Sequence, residues 1–207
     1  MTEAGIVMTM PPTLKENLKM ASVGFLCPNW DCKVIDVETK EEVGPNVRGE
    51  MCLKGAGVMM GYWNRPEATA AIKDQQGWLH TGDLCYYDDD GYFYIVDRLK
   101  ELIKVKGFQV APAELEDVLL SHSDIQDCAV IGIPDEFAGE IPKAFIVRKP
   151  QSTIAEADVH KFINDKVAPY KKLKGGVQFL TEIPKSPSGK ILRKLLRQQN
   201  TMQVSKL

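Results

Sequence analysis

The sequence predicts an α+β protein: a strand-rich first part, residues 1–98, followed by a small α+β domain, residues 99–200, whose helices lie on a three-stranded sheet. Three observations carry this expectation. Short β-prone runs separated by turn-rich connections fill the chain up to Asp97. A basic, apolar hairpin pattern begins directly after it. Beyond that hairpin, apolar strand runs alternate with segments whose apolar residues recur at helical spacing.

The chain opens with Met1-Thr2-Glu3-Ala4-Gly5, which runs into apolar sequence without a basic-then-apolar leader; this interior-like start leads us to expect further sequence upstream. Residues 32–36 and 50–54 are the first expected strands, joined across Glu41-Glu42-Val43-Gly44-Pro45-Asn46 as a β-meander. Pro66 has no N–H to lose at a first helical position, and Glu67 suits a helix N-terminus, so a short helix is expected to Ile72, ended by Asp74 and the Gln75-Gln76-Gly77 turn. Strands return at 84–87 and 92–96 around Asp88-Asp89-Asp90-Gly91. After Arg98 we place a domain boundary. The hairpin 102–105 and 108–110 turns at Lys106-Gly107, and Pro112 with Glu114, Glu116 and Asp117 opens a helix whose stripe Leu115, Val118 and Leu119 is core. Residues 128–133 and 143–147 are continuous apolar strands, while Val159, Phe162, Ile163 and Val167 mark a second helix face. The stretch from 184 to 200 joins a Pro/Ser/Gly loop to a basic helix.

With 207 residues, 44% hydrophobic and 26% charged, the chain can bury a core and has room for two modest domains. A net charge of -2 with both signs interspersed creates no field to gather nucleic acid or membrane, so neither is an expected partner and anion binding must be local. No apolar run reaches the length that spans a bilayer. Cys27, Cys32, Cys52, Cys85 and Cys128 lack the paired close spacings of a zinc site and read as reduced thiols. His80, His122 and His160 are scattered singly and are given no metal or catalytic role; Trp30, Trp63 and Trp78 read as packing residues. Residues 201–207 form a polar, flexible tail ending in Ser205-Lys206-Leu207, the address read by the peroxisomal import receptor, so a peroxisomal location is expected.

Three short elements carry candidate chemistry. In Thr81-Gly82-Asp83 a carboxylate on a Gly turn can accept both hydroxyls of a ribose, although a turn-capping Asp is the commoner occupant. In Asp97-Arg98 a guanidinium can bridge ribose and phosphate through its fixed fork, or simply make an interdomain salt bridge. In Pro184-Lys185-Ser186-Pro187-Ser188-Gly189-Lys190-Ile191 a lysine follows a Gly and opens a helix. Its ammonium can neutralise charge growing on an α-phosphate, or it is one more solvated charge beside Lys185, Arg193, Lys194 and Arg197.

Together the three change the odds. The stretch from Gly77 to Leu84, the stretch from Val96 to Glu116, and Pro184 to Lys190 resemble the signature segments of the adenylate-forming (AMP-binding) superfamily in order and separation. Within it the chain resembles 4-coumarate:CoA ligase-like enzymes, peroxisomal acyl-CoA synthetases and beetle luciferases, over essentially its whole length. The resemblance implies that residues 1–98 are the carboxyl-terminal part of the AMP-binding core domain and 99–200 a small mobile domain. It further implies ATP, Mg2+ and CoA as substrates or cosubstrates, with no tightly bound cofactor.

Residue by residue, the resemblance puts Thr2 at the α-phosphate, Glu3 at the magnesium ion, Asp83 and Arg98 on the ribose and Ile95 near the nucleotide. Lys104 and Gln109 would approach the adenylate in a second state, Lys106 and Gly107 would line the CoA path, Lys100 would be the hinge, and Lys190 the catalytic lysine. A glycine at 107 admits close approach of a thin ligand, or serves only the hairpin turn. The implied function is an ATP-dependent carboxylate:CoA ligase that forms an acyl-adenylate and then a thioester. The family's phosphate loop and acyl pocket correspond to sequence upstream of Met1, so a carboxyl-terminal fragment is expected, and a non-catalytic truncated relative is one alternative. A luciferase-type monooxygenase, which shares the adenylation step, is the other.

Overall fold

The computed structural model describes residues 1–9, 19 and 21–204; the expected address at 205–207 lies outside them. The chain divides into two compact units, Met1–Lys100 and Glu101–Leu207. Among the described residues no helix is long and apolar enough to cross a membrane.

In the first unit, strands β1 (Met8–Thr9) and β2 (Phe25–Leu26) pair antiparallel. Strands β3 (Trp30–Ile35), β4 (Gly49–Gly55), β5 (Leu79–Tyr87) and β6 (Phe93–Arg98) form an antiparallel meander in chain order. One face buries Val34, Met51, Leu53, Leu79, Cys85 and Phe93 together with Ala4 and Val7, so the opening residues are part of this core. The turn after β3 is held by Asp36, whose Oδ1 accepts the N–H groups of Glu38 and Thr39 at 2.8 Å. Helix α1 (Pro66–Ala70) starts on its proline as expected. The acidic hairpin turn is closed by Asp88, whose Oδ1 accepts from the N–H of Asp90 and Tyr92, with Gly91 at φ +81°.

One expectation is corrected here. The strand placed at 84–87 begins five residues earlier, so Thr81-Gly82-Asp83 lies inside β5 and is not a turn at its end. Gly82 sits at φ +68°, and the register of β5 against β4 shifts around it, between the pairs Cys52–His80 and Glu50–Leu84. A glycine in that conformation inserts a bulge into an otherwise continuous strand.

In the second unit, β7 (Ile103–Val105) and β8 (Phe108–Val110) make the expected hairpin. Helix α2 (Pro112–Leu120) is followed by β9 (Ile125–Asp135) and β10 (Gly139–Arg148), then α3 (Glu156–Asn164), β11 (Val177–Phe179) and α4 (Arg193–Val204). The sheet has five strands where three were expected: β10 pairs β9 antiparallel and β11 parallel, and the β7–β8 hairpin adds two more by joining β10 at the pair Gly139 and Val105. Residues 128–133 of β9 and 144–147 of β10 are apolar without interruption because both faces are covered there. Cys128, Val130, Ala144 and Ile146 face α2 and α3 through Leu115, Leu119, Val159 and Ile163. Their neighbours Ala129, Ile131, Phe145 and Val147 face the other way, against Ile183 and Leu196 of the final segment. Helix α3 ends before Val167, which still packs on the first of these cores.

Candidate nucleotide site

The bulge in β5 decides where Asp83 points. Asp83 and Arg98 are opposite one another on β5 and β6, and Arg98 Nε lies 2.7 Å from Asp83 Oδ1. Burial pushes the Asp83 carboxyl above its ordinary value, and the Arg98 guanidinium pulls it part of the way back. The carboxylate is thus held by one side-chain cation and keeps acceptor capacity for hydroxyl donors.

A network beneath the strand fixes the bulge. Glu50, buried on β4, accepts the Gly82 N–H on Oε1 at 3.2 Å, and its Oε2 lies 3.3 Å from Nδ1 of His80. Nε2 of the same ring faces Asp74 Oδ2 at 3.7 Å. Thr81 Oγ1 donates to the Met51 carbonyl at 2.8 Å and accepts the Asp83 N–H at 3.1 Å. Glu50, Cys52 and His80 bring ligand-type atoms within 4.8 Å of one another. Their arrangement is closed by its own hydrogen bonds, and burial raises the Cys52 thiol to about 12, so the trio reads as a brace for Gly82. The sequence did not single out Glu50: a carboxylate between apolar strand residues was its only local signal, and its partner lies 32 positions away.

Near this pair stands the opening turn of the chain. Glu3 Oε1 accepts the Tyr62 hydroxyl at 2.9 Å. A hydrogen bond from its own backbone, then the Tyr62 hydroxyl and the Arg98 charge, draw its carboxyl below the ordinary value. Thr2 is exposed in the same turn. Ile95 and Asp83 line one open pocket of about 370 Å3, lined otherwise by apolar residues including Ile6, Val23, Met51 and Leu53. Among the expected site residues of this unit, the structure therefore joins Asp83, Arg98 and Ile95 directly, and Glu3 through charge. Lys100 is the exposed last residue of the unit, in the short 3-10 turn Leu99–Glu101.

In the second unit, Lys104 and Gln109 are register partners on the β7–β8 hairpin. Lys106 and Gly107 are its two turn residues, at φ +50° and +84°. Two positive φ values in a two-residue loop are what a tight hairpin demands, and a Cβ at 107 would meet nothing within 4 Å. The glycine at 107 thus answers the backbone conformation of the turn. Lys190 is exposed on a separate loop, 184–192, away from the hairpin in sequence. Of the neighbouring cations, Lys185 is paired to Asp127, Arg193 to Glu116 and Arg197 to Glu101. Lys190, like Lys194, is exposed and has no ion pair among the described residues.

The model of the AMP-binding enzyme family matches residues 1–63, and that of the AMP-binding enzyme C-terminal domain matches residues 114–190. The chain belongs to the AMP-binding enzyme family. Among AMP-binding enzymes it is 52% identical over 200 residues to 4-coumarate--CoA ligase 2 of Nicotiana tabacum, covering 95% of this chain and 37% of that one. It is 50% identical over 180 residues to the luciferin 4-monooxygenase of Luciola mingrelica, covering 87% and 33%. To the peroxisomal OPC-8:0-CoA ligase 1 of Arabidopsis thaliana it is 46% identical over 194 residues, covering 94% and 35%. The chain spans about a third of the length of these curated relatives. The crystal structure of ATP-bound MatB from Rhodopseudomonas palustris superposes with a TM-score of 0.89 at 32% identity, covering 96% of this chain and 39% of that one.

Proposed function

We propose that this chain serves an ATP-dependent carboxylate:CoA ligase. The observation that carries the reading is the Asp83–Arg98 pair beside the Ile95 pocket, a ribose-type grip within a family that includes 4-coumarate ligases. Asp83 accepts the ribose hydroxyls and Arg98 spans from ribose towards phosphate. Thr2 hydrogen-bonds the α-phosphate. Glu3, kept ionised by Tyr62 and Arg98, suits a hard cation and would hold magnesium, which supplies charge neutralisation on the phosphates. Lys190 delivers its ammonium to the α-phosphate.

In the first half-reaction a carboxylate oxygen of the acid bonds to the α-phosphorus, the bond to the bridging oxygen breaks, and pyrophosphate leaves. In the second, the CoA sulfur attacks the acyl carbonyl, loses its proton and expels AMP, leaving a thioester. Lys104 and Gln109 are assigned to the adenylate in this step, Lys106 and Gly107 to the CoA path, and Lys100 to the pivot between the two states. Cinnamate-type and fatty acids are the substrate classes to try. Ser205-Lys206-Leu207 is assigned to a peroxisomal import receptor; the location alone, not the receptor, draws support from the peroxisomal relative.

The test is CoA-dependent release of AMP from ATP by the protein carrying this sequence, across a panel of aromatic and fatty acids. A luciferase-type monooxygenase is the second reading, favoured by the 50% identity to the Luciola mingrelica enzyme. Light from ATP and luciferin without CoA-dependent AMP release would replace the ligase by it.

A further inference from the structure

The Lys190 loop is a closed turn. Ser186 N–H donates to the Lys190 carbonyl at 2.8 Å, Gly189 N–H to the Ser186 carbonyl at 2.8 Å, and Lys190 N–H to Ser186 Oγ at 3.2 Å. Leu192 N–H donates to the Pro184 carbonyl at 2.8 Å, and Lys185 faces Ile191 as a bridged pair. Such a turn is stiff within itself, but its aim is set where it is rooted. One root is the Lys185–Asp127 ion pair, 2.6 Å and half exposed.

The other root is different in kind. Arg193 Nη2 donates to both oxygens of Glu116, at 2.7 and 2.8 Å, and its Nε donates to the Val130 carbonyl at 3.3 Å. Glu116 Oε1 in turn accepts the Val130 N–H at 2.8 Å. The two side chains therefore take up both backbone polar groups of Val130, on the edge of β9 that β10 does not pair. They join α2, on one face of the sheet, to the first turn of α4 on the other. Glu116 is only 8% exposed. A buried ion pair is a poor source of stability compared with an apolar pair of similar size, because desolvation offsets the attraction; what it supplies is a fixed geometry.

We infer that Glu116 and Arg193 are positioning residues for the Lys190 ammonium: they pin the start of α4 to the edge of β9, three residues after Lys190. The inference rests on the adenylation role proposed for Lys190. Lys190 has no ion pair among the described residues, so its flexible stem sweeps a region whose centre the backbone sets, and any swivel at Arg193 moves that region. A displacement on the order of 1 Å at a reacting group costs on the order of a hundredfold in rate.

The test uses R193K, which keeps the charge and loses the fork, and E116Q, with Lys194→Ala on the exposed side of α4 as control. Two quantities are read in the protein carrying this sequence: hydrogen exchange at the amides of Ser186, Gly189, Lys190 and Leu192, and the two half-reactions measured separately. The loop amides should exchange about tenfold faster in R193K and E116Q while amides of β10 change less than about twofold. ATP–pyrophosphate exchange should fall at least about tenfold, with thioester formation from supplied acyl-adenylate kept within about threefold. Lys194→Ala should match the parent in both. Unchanged loop exchange, or core amides accelerating in step with the loop, overturns the inference. Absence of ATP–pyrophosphate exchange in the parent protein overturns the adenylation reading instead, and the hydrogen-exchange comparison still decides whether the pair holds the loop.

Discussion

Asp83 and Arg98 face each other across adjacent strands, 2.7 Å from carboxylate oxygen to guanidinium nitrogen, and the Asp83 carboxyl is displaced upward from its ordinary value despite that cation. The displacement has a sign that can be read in solution. As pH falls from neutrality, Asp83 protonates before an ordinary aspartate near about 4 would. Its protonation favours the folded state, which bears the raised value, yet removes acceptor charge from the ribose hydroxyls that Asp83 is proposed to hold. Nucleotide affinity should therefore weaken with falling pH while thermal stability does not lose this contribution. Calorimetric titration with ATP checks it, with Asp83→Asn expected to bind weakly and without that pH dependence.

Removing the brace under the bulge should loosen the same site from below. Glu50→Ala leaves the Gly82 N–H and one face of His80 without their acceptor, a loss of about 1–3 kcal/mol by the usual cost of a buried unsatisfied group. Chemical denaturation should register that loss, and amide exchange at Gly82 should accelerate more than at Leu53 on the neighbouring strand.

Lys190→Ala should lower the adenylation rate by two or more decades, since neutralising charge at the transferred phosphorus is worth on the order of 3 kcal/mol. Conversion of supplied acyl-adenylate to thioester should survive. Stopped assays of the two half-reactions measure this directly, and equal loss in both would remove the staged role.

Acid should affect the first unit through Asp88. Burial acts to raise its carboxyl, but hydrogen bonds from Lys19, the Tyr92 N–H and the Tyr94 hydroxyl prevail and hold it at about 2. A depressed folded value means a contribution fully present above the unfolded value and lost as pH drops from about 4 towards 2. Melting temperature followed across that window should fall less steeply in Asp88→Asn than in the parent.

Deleting Ser205, Lys206 and Leu207 should abolish peroxisomal import of a fluorescent fusion that carries the tag at the other end of the chain. Co-localisation with a peroxisomal marker in the presence and absence of the three residues is the measurement.

Local chemistry explains which parts of this molecule could be read from its sequence. The helices starting at Pro66 and Pro112 and the hairpin turning at Lys106-Gly107 depend on residues next to one another, and they stand where those signals put them. The two long apolar runs became β9 and β10, but β11, which also pairs with β10 in their five-stranded sheet, is three residues long, and that pairing comes from tertiary contact. The glycine in Thr81-Gly82-Asp83 argued for a turn; pairing of β5 with β4 on either side of it kept it in the strand and turned the glycine into a bulge. Asp83 and Arg98 were visible because motif residues announce themselves. Glu50 and Glu116 were not, because the partners that make sense of them lie 32 and 77 residues away.

The sheet of the second unit has no bare side, and the side opposite α2 and α3 is roofed by Ile183, Ile191 and Leu196. The stretch proposed to carry the reactive ammonium is therefore also the waterproofing of the sheet. A protease cut or early stop before Pro184 would not yield a stable inactive unit: it would strip Ala129, Ile131, Phe145 and Val147 to solvent and produce a sticky, short-lived species. Cells that make such a shortened chain should accumulate it as aggregate or degrade it, and mutational tolerance along the loop should be capped by solubility before chemistry is ever measured.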